Sequence, residues 1–455
     1  MIEHPELGYE PHFLEQLAWK EGAAARLLSE KRIKVVHDGG ALNPRGLAEK
    51  VQQYLLSQRI KNLRVAWVSG DDLTTQVRQA KGSTYKHLDI QGLEQRGDDS
   101  RILAANAYTG QSGIIAALEA GADIVICGRC CDASPVMGLA SWWHGWKANE
   151  WDKIAGSLMA GHLTECGAYT TGGNYCGFQE VERLYRVGYP IAEISEDGSA
   201  IITKPERSNG AVTADTVKAQ FLYEIQGTSY LNPDVIAKID KGRLEEVSPN
   251  RIRLSGITGT PPPPTTKLAI CLLGGYQAEL SAYCAGLDIA DKVALMKSQV
   301  LRELDPSDFT TLSIEAYGTS APDPRTQAEA TVQIRMFVQA PTKEAIKKFK
   351  KAIFYNGMQG YCGLHLAMDW RTVEPRPFVK YFPALVSQDH IKLSVNFVGE
   401  GKSTAVTKRI GLEYGVLKGQ ESYETAMRVD LASFGPTVKF PLGKITVFIA
   451  AHDSR

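Results

Sequence analysis

The chain reads as an α/β protein: a mostly parallel sheet with flanking helices, followed by an α+β domain. Two observations predict this. In the first half, short apolar runs alternate with glycine-punctuated amphipathic stretches in β-α-β-α order, which points to parallel strands covered by helices. In the second half, strict period-two alternation appears, the mark of half-buried antiparallel strands. The 455 residues, 44% hydrophobic and 22% charged, suffice for two or three domains with sizeable cores.

Taken in order, Leu14, Leu17, Ala18 and residues 24–28 form an apolar stripe that predicts a helix over 11–30. Residues 33–36 predict a short strand ending in Asp38-Gly39-Gly40. Asn43-Pro44 then predicts a helix to Leu56, because Asn caps a helix start and Pro suits its first position. Residues 63–69 predict a second strand, 106–120 a helix entered through Gly110 and Gly113, and 122–127 a third strand. A helix is expected at 151–165, a hairpin about Asp197-Gly198, and a helix at 213–223. Residues 230–264 are polar and turn-rich and end in Pro261 to Pro264. The expected division is therefore 1–235 as the α/β domain with the site, 236–266 as a Pro-rich linker region, and 267–455 as the α+β domain. In that last part, strands are expected at 267–273, 328–338 and 444–450, and an amphipathic helix at 343–355. No repeat recurs at a fixed period.

Composition narrows the function. Lys plus Arg and Asp plus Glu are equal at 51 each, so no nucleic-acid or anionic-membrane partner is expected. The longest apolar run, 445–451, is strand-sized and far below the ~20 residues of a membrane span. The N-terminus is acidic and interrupted by Pro5 and Pro11, unlike a secretory signal. Eight cysteines without regular spacing read as free thiols of a reducing compartment, so a cytoplasmic protein with no redox or zinc-ribbon motif is expected.

The chemistry concentrates between Asn106 and Phe178. Gly39 and Gly40, with Asn43, leave a strand end for a helix start, where backbone N–H groups suit an anion; the plain alternative is a tight turn with an Asn cap. Gly128-Arg129-Cys130-Cys131-Asp132 follows the third strand. There Arg129 can clamp a carboxylate or phosphate, and Asp132 can act as a base or merely cap the next helix. His162, Glu165 and Cys166 share one helix face, so His162 and Glu165 can form an acid–base pair; a structural histidine near a helix end is the bland reading, and the ligands are too few for metal. Gly172-Gly173-Asn174 reads as a flexible loop able to close on a ligand, or as ordinary turn chemistry. Gly110-Gln111-Ser112-Gly113 is one residue too short for a nucleophile elbow, and no dinucleotide fingerprint is present.

Several long blocks carry a resemblance. VVHDGGALNPRG, NAYTGQSGIIAALEAGADIVICGRCCDASP, AGHLTECGAYTTGGNY, GYPIAEISEDGSAIITK and TADTVKAQFLYEI resemble the acyclic terpene utilisation AtuA-like family, in wording closest to its fungal branch. The similarity runs from about residue 10 to the end. It implies the breakdown of citronellol- and geraniol-type compounds through branched acyl-CoA thioesters, and carries over no set of catalytic residues. It also implies that related chains begin with a strand and a Gly-rich acidic loop ahead of the EPHFLEQLAWKEG segment, and that longer ones append a C-terminal domain. On that comparison this chain is expected to lack both pieces, through a short gene model or a real loss.

The expected function is a lyase or hydratase acting on a small branched carboxylic acid or acyl thioester. His162 moves the proton, Glu165 orients it, Asp132 assists, and Arg129 holds the anionic group. Gly39, Gly40, Asn43, Gly172, Gly173 and Asn174 wrap the ligand. No cofactor and no metal is expected; the partner is a small molecule, a CoA thioester among them, with self-association into a homo-oligomer admitted. Two other readings stay open: an NAD(P)-dependent oxidoreductase, and a non-catalytic metabolite-binding or scaffold subunit.

Overall fold

The computed structural model describes residues 7–367, 369–400 and 403–406; the strand expected at 444–450 lies outside them. Its chain folds into two compact units. The first takes residues up to Arg96, Ala105–Ala269 and the described residues from Pro383 onward; the second takes Gly97–Ala104 and Ile270–Phe382.

At the centre of the first unit is a five-stranded sheet in the order Val35–His37, Ile124–Ile126, Val65–Ser69, Ser394–Phe397, Ser403–Ala405. The first three strands are parallel, with Val35 and Val65 both opposite Ile124. The other two are antiparallel, with Val395 opposite Val68 and Thr404. The sheet is therefore mixed, not mostly parallel. The β-α-β order was readable locally, but two strands arrive from more than 300 residues downstream, where no local pattern announces their partner. The other paired sheets, including Ile191–Ile194 with Ala200–Thr203, run antiparallel.

Helix Pro44–Ser57 buries Leu47, Val51 and Leu55 against Val65, Ile124 and Ile126. The helix expected at 106–120 is shorter, Ser112–Glu119, because residues Ile102–Ala107 form a strand. A brief apolar run has no decisive period, which is why the two were merged. The stripe over 11–30 forms His12–Lys31, but Trp19 to Gly22 leave helical angles and break it.

Helix Trp151–Glu165 is the core of the remaining part of this unit. Ile154, Leu158, Met159 and Leu163 pack against Ile202, Val217, Val235, Ile252 and Leu254. Two glycines set its depth. A Cβ on Gly156 would lie 2.1 Å from the Gly198 carbonyl, and one on Gly161 2.7 Å from Ala133 Cβ. The stretch expected as a linker is instead short strands, Ile236–Lys238, Arg243–Ser248, Arg251–Ser255 and Thr258–Thr260, that supply this core. Its apolar residues are sparse, and only burial of Ile252, Leu254 and Ile257 reveals their role.

In the second unit an antiparallel sheet is covered by two helices, Ile289–Arg302 and Lys343–Asn356. The alternation read in 328–338 becomes strand Thr331–Ala340, whose Ile334, Met336 and Val338 meet Ile346, Phe349 and Ile353. Among the described residues no helix is long and apolar enough to cross a membrane.

Candidate functional site

Three parallel strands end side by side, and the loops leaving them are tied together. Asp71 follows the strand Val65–Ser69, and its buried Oδ2 accepts from the Arg129 backbone N–H at 2.8 Å and from Asn106 Nδ2 at 3.0 Å. Gly128 permits this approach, since a Cβ there would lie 2.6 Å from the Asp71 carboxylate. Burial pushes the Asp71 carboxyl up, and the bonds from Arg129 and Asn106 pull it partly back. Cys127 N–H donates to the His37 carbonyl at 2.7 Å, joining the third loop.

The Arg129 guanidinium lies 4.3 Å over the Tyr108 ring and only 3.4 Å from Asp132 Oδ1, a loose pair. Its Nε is buried without a hydrogen-bond partner. Burial weighs against its charge, yet Tyr108, Asp132, Cys130 and Asp38 outweigh it and raise its pKa. The Lys267 ammonium stands 4.1 Å from the centre of the same ring. Asp132 does not cap helix Ser134–His144, which has no side-chain cap. Its carboxyl is half exposed at 52%, but the protein around it still raises its pKa, with Arg129 pulling it back.

His162 is buried, and both ring nitrogens are engaged. Nε2 lies 2.9 Å from the Gln220 main-chain carbonyl, and Nδ1 lies 3.1 Å from Glu165 Oε1. Gln220 answers by donating its Nε2 to the His162 carbonyl at 3.0 Å. A carbonyl can only accept, so Nε2 carries a hydrogen. Nδ1 and Oε1 then share one proton, either on a neutral ring's carboxylic acid partner or on an imidazolium facing a carboxylate. No nitrogen of His162 is left for a substrate. The free atom of the pair is Glu165 Oε2, buried and without a partner on a side chain 10% exposed. Burial pushes the Glu165 carboxyl up; the hydrogen bond to His162 lowers it, and Asp132 and Glu224 raise it again. The Tyr230 ring meets His162 edge-on at 5.5 Å, and its phenol feels Glu165, Cys131 and Asp132. Burial pushes the Cys166 thiol up to about 11, so it is no thiolate at neutral pH.

Other expected residues are occupied with structure. Asn43 caps helix Pro44–Ser57 by accepting from Gly46 N–H at 2.9 Å and donates to the Leu7 carbonyl at 3.0 Å. Gly39 N–H is taken by His37 Nδ1 at 2.7 Å, and a Cβ on Gly40 would lie 2.3 Å from the Cys127 carbonyl. The close approach of the Cys127 carbonyl accounts for Gly40, and the His37 ring folded onto the same turn accounts for Gly39. Around Gly172, Gly173 and Asn174 the bonds are internal: Thr170 Oγ1 donates to Leu163, Thr171 Oγ1 to Gly188, and Gly173 N–H to Ala168. Thr170 to Gly172 are buried in a packed turn, while Gly173 and Asn174 stand exposed after it.

Sequence reasoning passed over Asp71, Tyr108, Gln220, Tyr230 and Lys267. Gly70-Asp71-Asp72 after an apolar strand repeats the signal read in Asp38-Gly39-Gly40 and was there to be used. It also overlooked that Cys127-Gly128-Arg129-Cys130 has C-x-x-C spacing, against the expectation of no such motif. The two thiols are in hydrogen-bond contact, but both are buried, and the Cys130 thiol is pushed up by Cys127 and by burial, as in an inert pair. Among the described residues no three His, Cys, Asp or Glu side chains are grouped to hold a metal ion.

Fold and contacts define a mixed α/β protein that gathers its reactive side chains where parallel strands end, the usual ligand edge of open α/β sheets. The profile of the acyclic terpene utilisation family protein AtuA matches residues 1–397, and the chain belongs to that family. No curated protein and no solved structure matches it. Family membership points to acyclic terpene utilisation as the context.

Proposed function

We propose that this chain is an acid–base enzyme of the lyase type. It adds or removes water, or cleaves a carbon–carbon bond beside a carbonyl, on a small branched carboxylic acid or acyl thioester. One observation carries the reading: polar groups with no protein partner stand around Asp132 and Cys131. Glu165 Oε2 and Arg129 Nε are buried and unpaired. Among the described residues the Tyr230 hydroxyl and the Lys267 ammonium make no hydrogen bond or ion pair, though both act on Cys131 or Asp132. Buried polar atoms are normally satisfied. Several orphans in one place mark where a ligand's polar atoms belong.

In this scheme Glu165, not His162, meets the substrate. Its Oε2 takes a proton from the substrate or returns one, while the proton between Nδ1 and Oε1 shifts to balance the charge. A carboxyl raised by burial suits that work near neutral pH. His162 is a positioning residue, held by Gln220. Arg129 takes the anionic group, and the Tyr230 phenol donates to a carbonyl oxygen as it gains charge.

The test is to incubate the full chain with branched free acids and acyl-CoA thioesters and follow loss or gain of water, or fragment release, by mass spectrometry. Turnover should drop about 100-fold or more in Glu165→Gln, the usual scale of proton-transfer catalysis. Turnover unchanged in that variant, or no conversion of any compound, would overturn the proposal in favour of a non-catalytic binding subunit.

A further inference from the structure

We propose that Lys267 and Arg129, the two cations held at the Tyr108 ring, are the two arms of a seat for one carboxylate of the substrate. The inference rests on reading this strand-end cluster as the binding site, but not on the lyase chemistry.

Both cations lie against one ring, at 4.1 Å and 4.3 Å from its centre. That ring is fixed by the strand that bears Lys267. Tyr108 N–H donates to the Lys267 carbonyl at 2.8 Å, and Thr266 Oγ1 donates to the Tyr108 carbonyl at 2.7 Å. The other arm is fixed through its main chain by Asp71. The main chains that carry the two cations and the ring are therefore tied in place, and each side chain reaches the ring from a held backbone.

Their fields also overlap. Arg129 and Lys267 both pull down the Asp132 carboxyl and the Cys131 thiol, so both charges bear on the same small volume. Neither cation has a close ion-pair partner among the described residues. Arg129 has only the 3.4 Å pair with Asp132 and an unpaired Nε, and the described residues give Lys267 no ion pair. A planar guanidinium with a spare N–H fits a carboxylate, and an ammonium completes the second oxygen.

The surroundings fix the charge of the guest. Asp38 and Asp132 both act on Arg129, so a phosphate dianion would meet two carboxylates and a monoanion is the better guest. The substrate class narrows accordingly. It presents a free carboxylate, and an acyl thioester without one leaves the seat empty.

Calorimetric titration of the full chain tests this with 3-methylbutanoate, its uncharged amide 3-methylbutanamide, and inorganic phosphate as probes. The acid should bind and the amide should not, with phosphate no tighter than the acid. Lys267→Gln should weaken the acid by about tenfold or more, as removal of one partner of a desolvated charge pair does. Lys267→Arg, which keeps the charge, should restore most of it and also controls for folding. Equal binding of acid and amide, no binding of the acid, tighter binding of phosphate, or an undiminished affinity in Lys267→Gln would overturn the seat. Carboxylate binding that depends on Lys267 in a chain that turns over no acid or thioester would sink the lyase reading and leave the seat standing.

Discussion

Glu165→Gln is the sharpest test of how the dyad holds its proton. The wild-type carboxyl is raised above its ordinary value of 4.5, with burial as the main cause. In the window above 4.5 the folded chain keeps the proton and the unfolded chain releases it. The unfolded state then binds fewer protons, so this group makes stability fall as pH rises through that window. Gln has the same shape, never ionises, and can donate to Nδ1 of a neutral His162 while Nε2 still donates to Gln220. Each tenfold tightening of proton binding in the folded state is worth about 1.4 kcal/mol. Stability of Glu165→Gln relative to wild type should therefore improve as pH rises above 4.5, by at most about 1.4 kcal/mol for each pH unit in which the folded chain still holds the proton. In a unit of this size that ceiling is a relative gain of roughly 2–6 °C in Tm per pH unit. Thermal melts of both chains across that range measure it. A melting difference that stays constant with pH would refute both the elevated carboxyl and the shared proton.

Three further outcomes follow from packing and capping, each read by urea unfolding. Gly40→Ala should cost about 2 kcal/mol, because its methyl meets the Cys127 carbonyl and Pro44, both backbone; wild-type stability would contradict the close approach of the two loops. Asn43→Ala should cost about 1 kcal/mol through loss of the cap on Gly46 N–H, and Asn43→Ser should recover most of it. Asp71→Ala leaves the Arg129 N–H and the Asn106 amide unpaired at about 1–3 kcal/mol each, while Asp71→Asn keeps one acceptor and should be the milder change.

What was legible in the sequence is what local periodicity and turn chemistry encode. Helix Trp151–Glu165 matches its expected limits, helix Lys343–Asn356 lies within one residue of its own, and strand Thr331–Ala340 within three. The loop of Arg129 and the helix of Glu165, both singled out in the sequence, come close enough that Asp132 acts on the Glu165 carboxyl. What local pattern cannot carry is partnership. Nothing near His162 shows that a carbonyl 58 residues away would claim its Nε2 and turn a proton carrier into a brace. Nothing near Lys267 shows that it would share a ring with Arg129. The mixed sheet is the same case, because Ser394–Phe397 reads as an ordinary short strand until it is seen beside Val65–Ser69. Asn43 went the other way: its capping signal was genuine, and a second role in ligand binding was added to a residue already spoken for.

Gly161 sits one residue before His162 and lets its helix rest against Ala133, the neighbour of Asp132. The distance between the helix of Glu165 and the loop of Arg129 and Asp132 is thus gauged by an absent methyl group. An alanine at 161 would press its methyl on the Cβ, Cα and carbonyl oxygen of Ala133, so the helix and the loop would have to part to admit it, and the width of the space between them is written in a residue that carries no chemistry of its own.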